Sequence, residues 1–273
     1  MPAMPSSSTL TPTTPTEHGG RRGKTEENRW HFVDALRGLA LLNMLGMHFL
    51  YDVNVVFGRQ PGWHLKPGVH IWQQYICWSF ILIAGFAFRW GRRRNIKRGL
   101  TLNLFGFLIT AVTLLAVPQE AIWFGILNFM GCAILLTVPL EKYLDRLPPL
   151  CGLGLSFLLF VLFYRVDSGV LGLGGLLSWK LPRALYTCRV LTPLGFPYPG
   201  FRSSDYFPLL PWLFLFFTGF YLFRLLEPLP AWRKLARVRI PLLSTVGRHT
   251  VWVYLLHQPL LMGLCMIIFR GEA

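Results

Sequence analysis

Long apolar stretches alternate with short polar loops along almost the whole sequence after residue 28. These stretches are about 18–25 residues long, which is the length that an α-helix needs to cross ~30 Å of hydrocarbon. We predict seven spans, at residues 32–56, 71–90, 100–117, 122–140, 150–166, 207–226 and 246–269. The pattern therefore predicts an all-α, polytopic integral membrane helix bundle of about seven transmembrane helices.

The first predicted span carries its polar residues on one face. At about 100° per residue, a single stripe along the helix holds Asp34, Arg37, Leu41, Met44, His48 and Asp52. A charge near the middle of a bilayer costs roughly 2.5–3.5 kcal/mol on insertion scales, so such residues usually face a partner or a cavity. We therefore expect the stripe to face protein or water, with Arg37 and His48 roughly 16 Å apart along the axis.

Loop charge predicts the orientation of the bundle. Residues 89–98 include six Lys or Arg and residues 233–239 include four, whereas residues 118–121 have none. The positive-inside rule then places the N-terminus in the cytoplasm. Residues 1–28, rich in Ser, Thr, Pro and Gly, are predicted to form a disordered cytoplasmic tail. In the external segment 167–206, the stretch VLGLGGLLSW is too short to span, and we expect it to be re-entrant or interfacial.

Composition favours a membrane protein over a soluble one. Of the 273 residues, 53% are hydrophobic and 14% are charged, a combination typical of polytopic membrane proteins. The net charge of +15 is concentrated in short loops, without a basic helix or an aromatic–basic module, so we expect no nucleic-acid partner. The five cysteines have neither paired nor metal-type spacing, so we expect neither a disulfide framework nor a metal site.

His48 and Asp52 form the first candidate pair for chemistry. They lie at positions i and i+4 of a predicted helix, where a carboxylate can orient an imidazole and raise its basicity. The alternative is a histidine that is only hydrogen-bonded inside the bundle, and spacing alone leaves both interpretations open.

Further polar residues are predicted at similar depths in other spans. Asn128 lies about two turns into the fourth span, and Asp205 precedes the sixth, where capping a helix is its simplest role. In the seventh span His257 and Gln258 precede Pro259, which frees a carbonyl and often kinks a helix. The alternative role for His257 is to donate a hydrogen bond to that carbonyl.

Five stretches are more specific together than any one of them, and they read VDALRGLALLNMLGMHFLYDVN, WSFILIAGFAF, FGILNFMGCAILLTVPL, DYFPLLPWLFLFFTG and VGRHTVWVYLLHQP. In this order they resemble the heparan-α-glucosaminide N-acetyltransferase catalytic-domain family and cover nearly the whole chain after residue 28. The spacing of Arg37 and His48 also resembles wider membrane acyltransferases that modify envelope polysaccharides. Where related sequences often read FGILH, this chain has Asn128, which puts a proton-transfer role at that position in doubt.

The resemblance implies acyl transfer across a membrane, with residues 29–273 as the transmembrane acyltransferase domain. It implies acetyl-CoA or another acyl-CoA as cytoplasmic co-substrate, no metal, and a glycan or amino-sugar acceptor on the far side. The donor-binding residues that it suggests are Arg37, Arg248 and Gln258. The catalytic residues that it suggests are His48 as base or acyl-accepting nucleophile, Asp52 as its orienting group, Asn128 at an oxyanion or thioester, Asp205 at the acceptor, and His257.

A short chain with seven spans resembles the bacterial members of that family more than the animal lysosomal enzyme. We therefore expect the bacterial cytoplasmic membrane as its location and membrane lipid as a partner, and heparan is a poor choice of acceptor. The oligomeric state stays open, with a homo-oligomer among the options. Two other classes also stay open: a transporter or lipid-handling protein that uses the same polar track, and a bundle whose polar residues only pair with one another.

Overall fold

The structure is a computed structural model that describes residues 30–173 and 177–270. The predicted tail at residues 1–28 lies outside the described residues. Within the described ranges the chain forms nine α-helices and one pair of short strands. The helices are α1 (His31–Tyr51), α2 (Pro67–Phe86), α3 (Asn95–Ala116), α4 (Ile126–Leu144), α5 (Pro149–Phe163), α6 (Leu209–Leu226), α7 (Pro230–Ala236), α8 (Pro241–Arg248) and α9 (Thr250–Ile268).

Six helical segments are long and apolar enough to cross a membrane, which confirms the predicted polytopic helix bundle. They are His31–Val56, Arg89–Ala116, Ile126–Leu144, Pro149–Ser168, Leu209–Leu226 and Thr250–Ile268. The remaining predicted span, at residues 71–90, coincides with most of α2, a helix of 20 residues. Its first half carries His70, Gln73 and Gln74, and these polar residues make α2 less typical of a membrane span than the other six.

Aromatic contacts bring the predicted basic loops to one end of the bundle. Trp30, just before α1, stacks on Phe223 of α6 at 5.5 Å and meets Trp90 after α2 at 4.3 Å and Trp232 of α7 at 5.8 Å between ring centroids. At the same end, Arg89 forms an ion pair with Asp145 at the end of α4. We call this the basic end. Both Lys/Arg-rich loops lie at this end, and its location in the cytoplasm stays a prediction.

The core of the bundle lies between α2 and α6, whose backbones touch. A Cβ atom on Gly85 would lie 1.9 Å from the carbonyl oxygen of Phe216, and one on Gly219 would lie 2.1 Å from that of Leu82. Only glycine permits so close an approach of two helices. Around this crossing, large side chains such as Phe216 and Phe220 are fully buried.

Helix α1 packs against α8 in the same close manner. A Cβ atom on Gly38 would lie 2.0 Å from the carbonyl oxygen of Leu243, and one on Gly247 would lie 1.8 Å from that of Asp34. The predicted stripe on α1 faces protein, as expected, because Leu41 and Asp52 are both fully buried.

The segment opposite the basic end contains the two strands. Strand β1 (Val170–Gly172) pairs with β2 (Ser178–Lys180) in antiparallel register, with Leu171 opposite Trp179. The described part of VLGLGGLLSW therefore forms two paired strands, and its re-entrant or interfacial position stays a prediction. Residues 174–176, which lie between the two strands in sequence, are outside the described residues.

Candidate functional site

Two helices that are far apart in sequence bring four predicted site residues together. The rings of His48 on α1 and His257 on α9 lie 4.7 Å apart between centroids, in an edge-to-face arrangement. The Gln258 side-chain amide donates a hydrogen bond of 2.9 Å to Oδ1 of Asp52. We call these four residues the α1–α9 polar cluster. The cluster lies at the end of α1 that is farther from the basic end.

The partner of Asp52 differs from the sequence prediction. The α-helix ends at Tyr51, and Asp52–Val56 continues as a π-helical turn, a departure that is frequent at functional sites. Among the described residues Asp52 bonds to Gln258, and no hydrogen bond joins it to His48. The i, i+4 argument considered α1 alone, whereas α9 brings Gln258 within hydrogen-bond distance of the carboxylate.

Three polar atoms of the cluster are buried and have no hydrogen-bond partner among the described residues: Asp52 Oδ2, Gln258 Oε1 and His257 Nε2. His257 Nδ1 faces the carbonyl oxygen of Tyr254, so in the neutral ring Nδ1 carries the proton and Nε2 is an acceptor. All three atoms therefore accept hydrogen bonds. A buried polar atom left unpaired costs about 1–3 kcal/mol, so a group that donates hydrogen bonds to these atoms would stabilise the cluster.

His257 does not bond to the carbonyl that Pro259 frees, which was its alternative predicted role. Pro259 removes the N–H that would bond to the carbonyl of Leu255. The histidine instead meets the carbonyl of Tyr254, one residue earlier in the helix. The proline lies inside α9, which continues to Ile268.

Asn128 and Asp205 lie in a separate small pocket between α3, α4 and α9. Both line it together with Tyr254, Gly106 and Gly125, and its free space is about that of one water molecule. Asn128 is 1% exposed, and its Oδ1 has no partner among the described residues. A Cβ atom on Gly106 would lie 2.5 Å from the Asn128 amide, and one on Gly125 would lie 2.7 Å from Asp205 Oδ2, so the two glycines keep the pocket open.

Asp205 caps a helix, although not the one that follows it in sequence. Its Oδ2 accepts a hydrogen bond of 3.0 Å from the Ile126 N–H, the first amide of α4. Helix α6 begins after Pro208 and is not the helix that is capped. Burial raises the pKa of the Asp205 carboxyl, while the Ile126 N–H and the nearby Tyr254 hydroxyl act in the opposite direction.

The two predicted donor-binding arginines lie at the basic end, at the start of α1. Arg37 forms an ion pair of 2.7 Å with Asp34, and Arg248 contacts His31 Nδ1 at 3.2 Å. Gln258, predicted to act with them, lies instead in the α1–α9 polar cluster. It is about two turns into α9, which carries it away from the basic end.

Tyr254 is the site residue that the sequence prediction missed. Its ring lies 5.4 Å from that of His257 between centroids, and its side chain lines the pocket with Asn128 and Asp205. It therefore touches both groups of predicted residues. The available signal was its position three residues before His257, which places both on one face of a helix.

No group of three or more His, Cys, Asp or Glu side chains within residues 30–173 and 177–270 is placed to hold a metal ion.

The family model described as heparan-alpha-glucosaminide N-acetyltransferase, catalytic, matches residues 29–259. Neither a curated protein nor a solved structure matches this chain significantly. The family match covers most of the chain and includes every predicted site residue. The chain therefore belongs to the heparan-alpha-glucosaminide N-acetyltransferase catalytic family and is an integral membrane protein.

Proposed function

We propose that this protein transfers an acyl group, in the simplest case acetyl, from cytoplasmic acyl-CoA to a hydroxyl or amino group of an acceptor on the far side of the membrane. The observation that carries the proposal is the α1–α9 polar cluster. It presents three buried acceptor atoms without partners, on Asp52, His257 and Gln258, beside a second histidine. An acceptor O–H or N–H group supplies the donor that these atoms lack.

The histidine pair supplies the base for this reaction. The acceptor oxygen or nitrogen attacks the thioester carbonyl, a new C–O or C–N bond forms, and the C–S bond to CoA breaks. The acceptor proton passes to the imidazole pair and from there to the departing thiolate or to water. In an alternative two-step route, His48 first accepts the acyl group from CoA, and the acceptor then takes the acyl group from His48. Asp52 and Gln258 hold the acceptor rather than orient His48.

The donor is bound at the opposite end of α1. Guanidinium groups bind phosphates through paired hydrogen bonds, and Arg37 and Arg248 lie together at the basic end beside Asp34 and His31. These arginines are roughly 16 Å from the histidines along the helix. A long, linear donor such as acyl-CoA suits this separation, because its phosphates and its thioester lie at opposite ends.

The location and acceptor complete the proposal. We place the protein in a bacterial cytoplasmic membrane, with the basic end inside, and we take a glycan or amino sugar of the envelope as the acceptor. The competing function is transport, because a buried membrane carboxylate such as Asp52 also marks ion and proton pathways.

The test is an assay of the purified protein in lipid vesicles with radiolabelled acetyl-CoA and an envelope glycan extract. We expect free CoA to be released and label to appear in the glycan. Arg248→Ala should raise the apparent KM for acetyl-CoA, and Arg37→Lys should weaken donor use because the planar fork is lost. The matched control is Arg239→Ala, an exposed arginine in the basic loop that follows α7. Proton or solute movement without CoA release would establish the transporter instead.

A further inference from the structure

We propose that Tyr254 and Asp205 form a positioning pair that seats α9, and with it His257, against α1. The proposal rests on the function proposed above only for the reaction that the seated histidine serves. Neither residue needs to touch the substrate. Asp205, which the family resemblance assigned to the acceptor, acts here through Tyr254.

Helix α9 has little apolar packing to hold it in place. Only His257 and Cys265 are buried among its 19 residues, and side chains such as Trp252, Leu256 and Leu260 are exposed at its surface. In lipid, exposed apolar side chains supply no force that presses one helix against another. The rotation and depth of α9 therefore depend on its few polar contacts with neighbouring helices.

Two polar contacts from α9 reach different parts of the bundle. Gln258 bonds to Asp52 at the end of α1. Tyr254 lines the small pocket together with Asp205, and its hydroxyl there favours the charged form of the Asp205 carboxyl. His257 lies between these two contacts in sequence, so the pair of contacts sets the orientation of its helix turn.

The anchor at Asp205 is itself held by the most buried part of the bundle. Its Oδ2 accepts the Ile126 N–H at 3.0 Å, and α4, which Ile126 begins, is buried over 56% of its apolar window, compared with 11% for α9. The positive end of the α4 dipole also favours a carboxylate at this position. Tyr254 is therefore tied to a rigid element.

Two contacts with Tyr254 orient the His257 side chain. The Tyr254 backbone carbonyl faces His257 Nδ1, which sets the tautomer, and the Tyr254 ring packs against the imidazole at 5.4 Å. The remaining nitrogen, Nε2, is the buried acceptor of the polar cluster. If the hydroxyl contact is lost, α9 should open more often and expose this nitrogen.

The experiment measures the reactivity of His257 directly. Diethyl pyrocarbonate acylates unprotonated imidazole nitrogens, and mass spectrometry reads the extent of modification at each histidine. In Tyr254→Phe we expect His257 to be modified about fivefold faster, the population change that the loss of one polar side-chain contact produces. The rate at His249, which is exposed, serves as an internal reference and should not change.

Tyr164→Phe is the matched control, because the Tyr164 hydroxyl also makes a polar contact elsewhere in the bundle, a hydrogen bond of 3.0 Å to Gln74. It should leave the His257 rate unchanged. Asp205→Asn keeps an oxygen for the Ile126 N–H and should accelerate modification less than Tyr254→Phe. This second variant also decides the question if Tyr254→Phe does not fold.

Kinetics provide a second readout. In acetyl transfer, Tyr254→Phe should lower kcat and leave the KM for acetyl-CoA unchanged, since the donor binds at the other end. If the wild-type protein transfers no acetyl group, the function proposed above fails while the modification rates still test the positioning pair. Equal His257 rates in folded wild-type, Tyr254→Phe and Asp205→Asn proteins would overturn it.

Discussion

Helices α6 and α9 have similar lengths and similar apolar compositions, yet the bundle uses them in different ways. Helix α6 is buried over 56% of its apolar window and α9 over 11%. Helix α6 contributes Phe216 and Phe220 to the centre of the core, whereas half of the apolar side chains of α9 are exposed. Helix α9 nevertheless carries two of the four residues of the α1–α9 polar cluster.

Their polar groups show the same contrast. On α6, the Thr218 hydroxyl donates to the Phe214 carbonyl. The Tyr221 hydroxyl and the Arg224 guanidinium both donate to the carbonyl of Leu144, the last residue of α4. On α9, Gln258 Oε1 and His257 Nε2 are buried without partners among the described residues. Paired polar groups stabilise the fold, while buried acceptors without partners are available to a ligand. Under the proposed function, α6 therefore serves stability and α9 carries the site.

Truncation of the α6 core should have the largest effect. Phe216 is fully buried, and its ring lies 6.1 Å from that of Phe88 between centroids. Phe216→Ala should lower the free energy of unfolding by about 3–5 kcal/mol, because it leaves a cavity in the core. Thermal unfolding in detergent measures the loss, and the variant that remains folded should keep its kcat. A stable, inactive Phe216→Ala protein would contradict the division between the two helices.

The histidine pair should show the reverse pattern. His48→Asn and His257→Asn keep a polar group of similar reach, so we expect little change in melting temperature. Transfer should fall by at least ~10²-fold, the lower range for the loss of a general base. Melting temperature and single-turnover transfer are measured on the same preparations. Full activity in a folded His48→Asn protein would remove it from the catalytic set, and a large loss of stability would make the pair structural.

The sequence predicted the helices of this bundle well because membrane spans are specified by length and apolarity alone. It also predicted that the stripe on α1 is buried and that Asp205 caps a helix. It could not identify the capped helix, since Asp205 and Ile126 are 79 residues apart. Contacts of that kind depend on how the helices pack, which local spacing does not contain.

The hydrogen bond of Asp52 is a second contact that local spacing in the sequence does not predict. A regular α-helix was assumed through residue 52, whereas the π-helical turn begins there. The partner, Gln258, lies 206 residues away in sequence. Tyr254 was missed because its one sequence signal, its position three residues before His257, does not show which residues it meets across the bundle.

The bond between Asp52 and Gln258 should have an intermediate effect. Membrane hydrogen bonds average about 0.6 kcal/mol, and a carboxylate acceptor strengthens them, so Gln258→Leu should destabilise the protein by about 1–2 kcal/mol. It should also lower transfer, because Gln258 contributes an acceptor to the substrate. Asp52→Asn removes the charge and keeps a polar pair, so its loss of stability should be smaller. Chemical unfolding of both variants and their double mutant gives the coupling energy, and a value near zero would argue against the contact.

The smallest effect is expected on the lipid-facing side of α9. Leu260 is 67% exposed and follows Pro259 directly, only three residues after His257. Because its side chain faces lipid, Leu260→Ala removes almost no packing, and insertion scales value a leucine at only about 0.3–0.6 kcal/mol. Stability should therefore change by less than ~0.6 kcal/mol, and transfer should stay at the wild-type level.

The comparison with Phe216→Ala is direct, since both changes remove a large apolar side chain from a span. A loss of stability for Leu260→Ala as large as that of Phe216→Ala would mean that this face of α9 is covered, by a second copy of the chain or another protein, and cross-linking in the membrane would then identify the neighbour.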